Sequence, residues 1–338
     1  MNNRTKPFEH GHFAHCESGV MALMMRHYGL PLSEAMAFGL SGALMFAYLP
    51  FIKLGGMPVI AYRALPKAII KGLQKNLGIK MKMQTFSRPR QGAEALDRLL
   101  TRGEIVGAQT SVFWLPYFPP EMRFHFNAHN LIVYGRENDE YLISDPVFER
   151  PVRCAVSALQ KARFVKGVMA PRGLLYYPLK VPETIDYARI IPRVIRKTAK
   201  KMLKTPVPIA GIRGIQTLSR KIGKLAEEDR RYAKLFLGHI VRMQEEIGTG
   251  GAGFRFIYAS FLQEAGLLLN NKTLQETSMM MTAVGDQWRE FASLSVRAIR
   301  LKKGQPIDFS ALQKKLADVA HAEAAVYRKL SVLKSQPL

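Results

Sequence analysis

The hydrophobic period changes at about residue 180. Before that point short apolar or alternating segments are interleaved with helical ones; beyond it apolar residues recur at helical spacing in every long segment, over 226–247, 254–270, 273–301 and 309–334. A chain that switches period part-way along is expected to build an α+β domain with an antiparallel sheet, followed by an all-α domain. With 338 residues, 48 % of them hydrophobic, there is material for two ordinary cores. We expect an N-terminal domain over 1–180, a basic connector over 181–225 and a helical domain over 226–338.

The connector carries much of a formal net charge of +24. From Arg189 to Lys224 there is no Asp or Glu, while Arg193, Arg196, Lys197, Lys200, Lys201 and Lys204 crowd its first half. Such a run fits a polyanionic partner. An acidic protein and an anionic membrane are the candidates, the second because "ARIIPRVIRKTAKKML" sets apolar residues at helical spacing beside its charges. Nucleic acid fits less well, since no recognised binding motif accompanies the charge and few aromatics interleave with it. No apolar stretch is long enough to span a bilayer and no charged-then-apolar leader opens the sequence, so a cytoplasmic location is expected, with room for peripheral contact at the inner face of the membrane. The apolar faces of the helical half suffice for a homodimer.

Only two cysteines occur, Cys16 and Cys154, too few for a disulfide scaffold or a paired zinc site. Cys16 sits in "HFAHCESGVMALMMRHYGL" at the head of a helical run that Gly29 stops, and Ser33 then caps a second short helix. A helix N-terminus favours a thiolate. His10, His12, His15 and Cys16 are competent metal ligands, but they are clustered with no second pair downstream, and no metal site is expected. Those three histidines are instead candidate oxyanion donors beside the Cys16 backbone N–H.

A base and an orienting acid are offered by "HNLIVYGRENDEYLISDP", which reads as a β-hairpin. With its turn centred near Glu137, His129 faces Asp145, Leu131 faces Ile143 and Val133 faces Tyr141, all on one side of the ribbon; the apolar part of that side is expected to pack on the Cys16 helix. Singly, Cys16 reads as a small core residue, His129 as a core histidine and Asp145 as a turn opener. Together and in this order they read as nucleophile, base and orienting acid. Elsewhere, 65–77 and 91–102 read as helices, 79–86 and 173–179 as strands, and the glycine-punctuated 39–48 and 55–58 as loops or close backbone packing.

"HCESGVMALMMRHYGLPLSEAMAFGLSGALMFAY", the hairpin segment above and "GTGGAGFRFIYASFLQEA" together resemble the butirosin biosynthesis protein H family. The resemblance implies a papain-like N-terminal domain, a helical C-terminal domain, and an N-acyltransferase that moves an acyl group from an acyl carrier protein thioester to an amine acceptor through an S-acyl enzyme. It matches Cys16 to the nucleophile, His129 to the base and Asp145 to the orienting acid. No cofactor would be tightly bound, the phosphopantetheine thioester arriving on an acidic carrier for which the basic run is a candidate docking surface. Gly248, Gly250, Gly251 and Arg255 would meet the phosphopantetheine phosphate, or else the glycines only let a helix approach its neighbour; the run lacks the ending of an ATP-binding loop. Two other functions share the sequence: a papain-like peptidase or amidase with the same three residues, and a nucleic-acid or membrane-surface binder whose Cys16 is structural.

Overall fold

In the computed structural model of the chain, residues 7–334 are described. Among them the elements run α1 (Cys16–His27), α2 (Glu34–Ser41), β1 (Leu44–Leu54), β2 (Met57–Arg63), α3 (Ala68–Leu77), β3 (Lys80–Gln84), α4 (Pro89–Thr101), β4 (Val106–Thr110), β5 (His129–Glu137), β6 (Glu140–Ser144), β7 (Val152–Ala155), α5 (Val156–Arg163) and β8 (Leu175–Lys180). Helices follow: α6 (Tyr187–Lys204), α7 (Gly211–Gly223), α8 (Arg230–Val241), α9 (Arg255–Leu268), α10 (Lys272–Arg300) and α11 (Phe309–Ser331). The α+β half and the helical half expected from the change of period are both present.

The chain divides differently from the expected three parts. One compact unit takes residues 1–37 and 69–185; the other takes 38–68 together with 186–338. The glycine-punctuated stretch after α2, expected to be loops, is the antiparallel hairpin β1–β2, and it belongs to the helical unit. Its inward residues Phe46, Tyr48, Ile60 and Tyr62 are buried there. The basic run is no connector either. It folds as α6 and α7, because Ile191, Val194, Ile195, Thr198, Ala199 and Met202 recur on one buried face of α6 and the charges fall on the other. Helices α6, α8, α10 and α11 each start at Asp186, Asp229, Asn271 or Asp308, whose side chain accepts from the N–H three residues on.

The first unit is built on an antiparallel sheet in the order β3-β8-β4-β5-β6-β7. One side carries Val106, Ala108, Leu131, Val133, Ile143 and Leu175, which pack with Leu96 of α4 and with Leu159 and Ala162 of α5. Strand β7 and helix α5 had no separate signal in the sequence. The hairpin β5–β6 turns at Asn138 (φ +53) and Asp139, not at Glu137. Val133 pairs with Ile143 and Gly135 with Leu142, so Tyr134 is an extra residue in β5. The register is therefore two residues from the expected one: Val133 faces Ile143 and not Tyr141, although the same side of the sheet is apolar. A second correction follows. That apolar side packs on α4 and α5, whereas α1 lies by the alternate residues: the Tyr176 hydroxyl donates to Asn130 Oδ1 at 2.9 Å, and its pKa is driven up by burial and by the neighbouring Glu17 and Cys16.

Candidate active site

Helix α1 owes its position to polar groups at its start. Glu34, at the head of α2, accepts from the backbone N–H of Ala14 (3.0 Å) and His15 (2.8 Å) and from the Ser18 hydroxyl (3.0 Å). Burial raises the pKa of this carboxyl, and those hydrogen bonds and His12 oppose the rise. Glu17, fully buried, accepts from the N–H of Ile69 at 3.0 Å and so caps α3. The first turn of α1 lies against the Asp145-Pro146 corner: Phe13 N–H donates to the Pro146 carbonyl at 2.6 Å, and a Cβ on Gly19 would stand 2.8 Å from the Pro146 Cβ. Gly19→Ala is accordingly expected to push the helix start off that corner, lowering stability by about 1–3 kcal/mol and slowing acylation of Cys16 by about tenfold. Urea denaturation and trapping by a thiol-reactive acyl donor measure the two; an unchanged acylation rate would refute the positional argument.

At this end of the unit Cys16, His129 and Asp145 come together. His129, the first residue of β5, places Nε2 at 2.7 Å from Asp145 Oδ2. In the observed register the two residues are diagonal and not opposed, and the imidazole spans the offset. With Nε2 engaged, Nδ1 is left to face the sulfur, and Cys16 is a hydrogen-bonding neighbour of the ring that favours its protonated form. Burial pulls the His129 pKa down, but the Asp145 charge, the hydrogen bond to it and Cys16 together outweigh burial and raise it to about 10. The imidazolium is therefore the resting form at neutral pH.

Asp145 is wholly buried and fully occupied. Its Oδ2 also accepts from the Tyr117 hydroxyl at 2.9 Å, and its Oδ1 from the Val147 N–H at 3.3 Å. Burial and the adjacent carboxylate hold the Tyr117 pKa well above its ordinary value, so the phenol stays a donor. The Phe118 ring meets the His129 imidazole edge-on at 5.4 Å and packs on Phe148 at 4.8 Å, shielding the histidine-carboxylate bond from water. Both residues come from "LPYFPPEMRF", a loop in which no periodicity marks any side chain as functional. In the same unit a cavity of about 420 Å³ opens beside this loop, lined by Phe113, Trp114, Arg123 and Lys161 among others.

The remaining candidates take other places. His10 spans Ser144 Oγ (2.7 Å) and the Phe148 carbonyl (3.0 Å), bracing the loop that carries Asp145 instead of facing an oxyanion. His12 is exposed near Glu34, and His15 caps α1, its Nδ1 within 2.8 Å of Ser18 Oγ. Arg255 does not offer itself to a phosphate: it is fully buried in the helical unit, where Glu323 Oε1 accepts from its Nη2 at 2.7 Å and the Gly253 carbonyl from its Nη1 at 2.7 Å. Gly248, Gly250 and Gly251 adopt positive φ, and the loop they form is filled by the chain itself, with Glu245 accepting from Ala252 N–H and Thr249 Oγ from Gly251 N–H. Gly251 lies against the Arg289 guanidinium while Gly248 stands in open space, and the N–H groups of Gly251 and Ala252 are taken by the chain's own acceptors. On α6, Arg193, Lys197, Lys200 and Lys204 are exposed, Arg196 donates to the Leu333 carbonyl at 2.6 Å, and Lys201 donates to the Gly42 carbonyl at 3.2 Å.

The family described as a domain of unknown function, DUF4872, matches residues 157–330, half of the chain. The chain belongs to that family. Ahead of this region, residues 15–146 match the family described as butirosin biosynthesis protein H, N-terminal, in keeping with the resemblance seen in the sequence. No curated protein matches. Among solved structures, one from Bacillus anthracis described as a C39-like peptidase is similar at 14 % identity and a TM-score of 0.35, over 52 % of this chain and 96 % of that one. Sulfur, imidazole and carboxylate thus stand in series, the sulfur at the head of α1, the imidazole at the start of β5 and the carboxylate just past the end of β6.

Proposed function

We propose that the protein is a cysteine-dependent N-acyltransferase, taking an acyl group from a phosphopantetheine thioester on an acidic acyl carrier protein and delivering it to an amine. The observation that carries this reading is the contiguous path from Cys16 through His129 to Asp145. The Cys16 thiolate attacks the thioester carbonyl, the carbon-sulfur bond to the carrier breaks, and the departing thiolate takes the proton from the His129 imidazolium. Neutral His129 then accepts a proton from the attacking amine as the acyl-sulfur bond breaks and the Cys16 thiolate is restored. Exchange between thioesters is nearly balanced in energy, and aminolysis to an amide runs downhill. Asp145 holds the ring in register and stabilises its charge. Support for transfer over hydrolysis comes from the butirosin biosynthesis protein H match over the segment that holds all three residues.

Intact mass measurement after incubation with acyl carrier thioesters tests the reading. Wild type is expected to gain one acyl increment that Cys16→Ala does not gain, and an added amine should discharge it with formation of the amide. Discharge by water at the same rate as by any amine would assign a peptidase or amidase. Failure of wild type to acylate with any carrier thioester would overturn the proposal.

A further inference from the structure

In the helical unit, the hairpin β1–β2 changes character along its length. Its base is buried, with Phe46, Tyr48, Ile60 and Tyr62 at most 3 % exposed. Its distal end is not. Leu49 pairs with Val59, but the next pair is Lys53 with Pro58, so Pro50, Phe51 and Ile52 are three residues in excess and bulge from the ribbon. Phe51 is 69 % exposed, Ile52 44 % and Leu54 39 %, and Gly55 and Gly56, at φ +59 and +82, close the tip. A protruding apolar tip leaves apolar surface in water, and among the described residues nothing covers Phe51, Ile52 and Leu54.

The base of the hairpin is held beside the segment that follows α6. Tyr48 N–H donates to the Ile209 carbonyl at 2.8 Å and Ala47 bridges Ala210, which fixes the hairpin beside the segment that leaves α6 at Lys204 and carries the exposed Val207. Along α6, Arg189, Arg193, Lys197, Lys200 and Lys204 follow one another at intervals of three or four residues and are all exposed, forming one stripe. Among the described residues none of the five has an acidic partner. The apolar side of α6 is used up in the core, so this helix cannot itself enter a bilayer, contrary to what its amphipathic sequence suggests. The hairpin supplies the apolar anchor the helix lacks.

We propose that the helical unit docks on an anionic lipid surface, with Phe51, Ile52 and Leu54 seated at the boundary between headgroups and acyl chains and the α6 stripe lying along the lipid phosphates. Charge of one sign beside a convex apolar tip is the complement of such a surface: apolar burial and attraction to acidic headgroups are the two signals that together give stable peripheral binding. A protein partner would need a concavity to receive the bulge, whereas a lipid interface needs none. The site is independent of the Cys16 chemistry.

Co-sedimentation with phosphatidylcholine vesicles, with and without about 30 % phosphatidylserine, tests this on the full chain. Wild type is expected to bind the anionic vesicles, to release as salt rises from about 0.1 to about 0.5 M, and to bind neutral vesicles weakly. Phe51→Asp with Ile52→Asp, and separately Lys197→Glu, Lys200→Glu and Lys204→Glu together, should each cut anionic binding by at least about tenfold, with helical circular dichroism retained because all five residues are exposed. Cys16→Ala should bind as wild type. The proposal would be overturned by no binding of wild type to anionic vesicles, by binding of the hairpin variant equal to wild type, or by a solution dimer that the hairpin variant dissociates, which would make a second copy the occupant. Unchanged vesicle binding by the stripe variant, with loss of turnover on an acyl carrier thioester, would give the stripe to an acidic protein and likewise refute it.

Discussion

Asp145→Asn slows acylation of Cys16 by about 10²- to 10⁴-fold and moves the alkaline limb of the rate profile toward acid. The amide still fits the space and its oxygen can still accept from His129 Nε2, so the ring keeps its partner while the charge is lost together with the longer hydrogen bond from the Val147 N–H. In the wild type two opposing influences act on the imidazole: burial lowers its pKa, and the carboxylate with its hydrogen bond and Cys16 raise it to about 10. Without the carboxylate charge burial prevails and the ring is neutral at pH 7, which removes the imidazolium that donates to the leaving thiol. The sign can be checked by stability. A folded-state pKa above the ordinary 6.5 contributes stability that is complete below about 6.5 and is lost as pH rises through about 10. Wild type should therefore lose stability across that window in thermal melts, and Asp145→Asn should show a flatter profile there. Tyr117→Phe, which removes one donor to the same oxygen, should retain the wild-type limb with a smaller loss of rate, since the charge remains. An alkaline limb that stays in place in Asp145→Asn would mean that the carboxylate does not set the protonation of the ring.

What the sequence made legible, and what it hid, follows from the range of the interactions involved. The helix at Cys16 and its stop at Gly29 (φ +88) are local, written in spacing and in a left-handed glycine. The meeting of His129 with Asp145 was readable because a hairpin brings chain-near residues together, yet the register slipped by two, because the turn sits at Asn138 and Asp139 and the extra Tyr134, which has no signature in residue type, takes back only one residue of that shift. Tyr117 and Phe118 were illegible: their loop returns to the pair from a distance in sequence, and a Pro- and aromatic-rich loop says nothing about where its rings point. His10 was misassigned for the same reason, its partners Ser144 and Phe148 lying more than a hundred residues on. In the basic run the helical spacing was visible, and the charge outweighed it. Counting lysines and arginines suggests a solvated linker, while the apolar positions from Ile191 to Met202 already carry the spacing of a packed helix. The hairpin β1–β2 was hidden by the glycines at its ends, which look like loop punctuation until the alternation of Met57–Arg63 is seen paired.

The largest effect on stability is expected at Glu323, which no spacing in the sequence singled out. Arg255 and Glu323 are both fully buried, and the polar atoms that meet the carboxylate are donors: Arg255 Nη2 at 2.7 Å and Nε at 3.1 Å, the Tyr327 hydroxyl at 2.9 Å and Trp288 Nε1 at 3.0 Å. The guanidinium carbon lies 5.3 Å from the Trp288 ring centre and 5.6 Å from that of Tyr62, so α9, α10, α11 and β2 converge on one ion pair. Removing a charge from water costs several kcal/mol, and the pair offsets that cost only while both members are present. Glu323→Leu leaves a guanidinium buried without a counter-charge and should lower the unfolding free energy by about 3–5 kcal/mol in urea titrations. Arg255→Met combined with Glu323→Leu should recover most of that loss, because apolar groups of similar volume need no counter-charge. The contrast between single and double variant separates a broken ion pair from simple loss of packing: if the double variant were as unstable as the sum of the two single ones, the pair would not be what holds these four elements together.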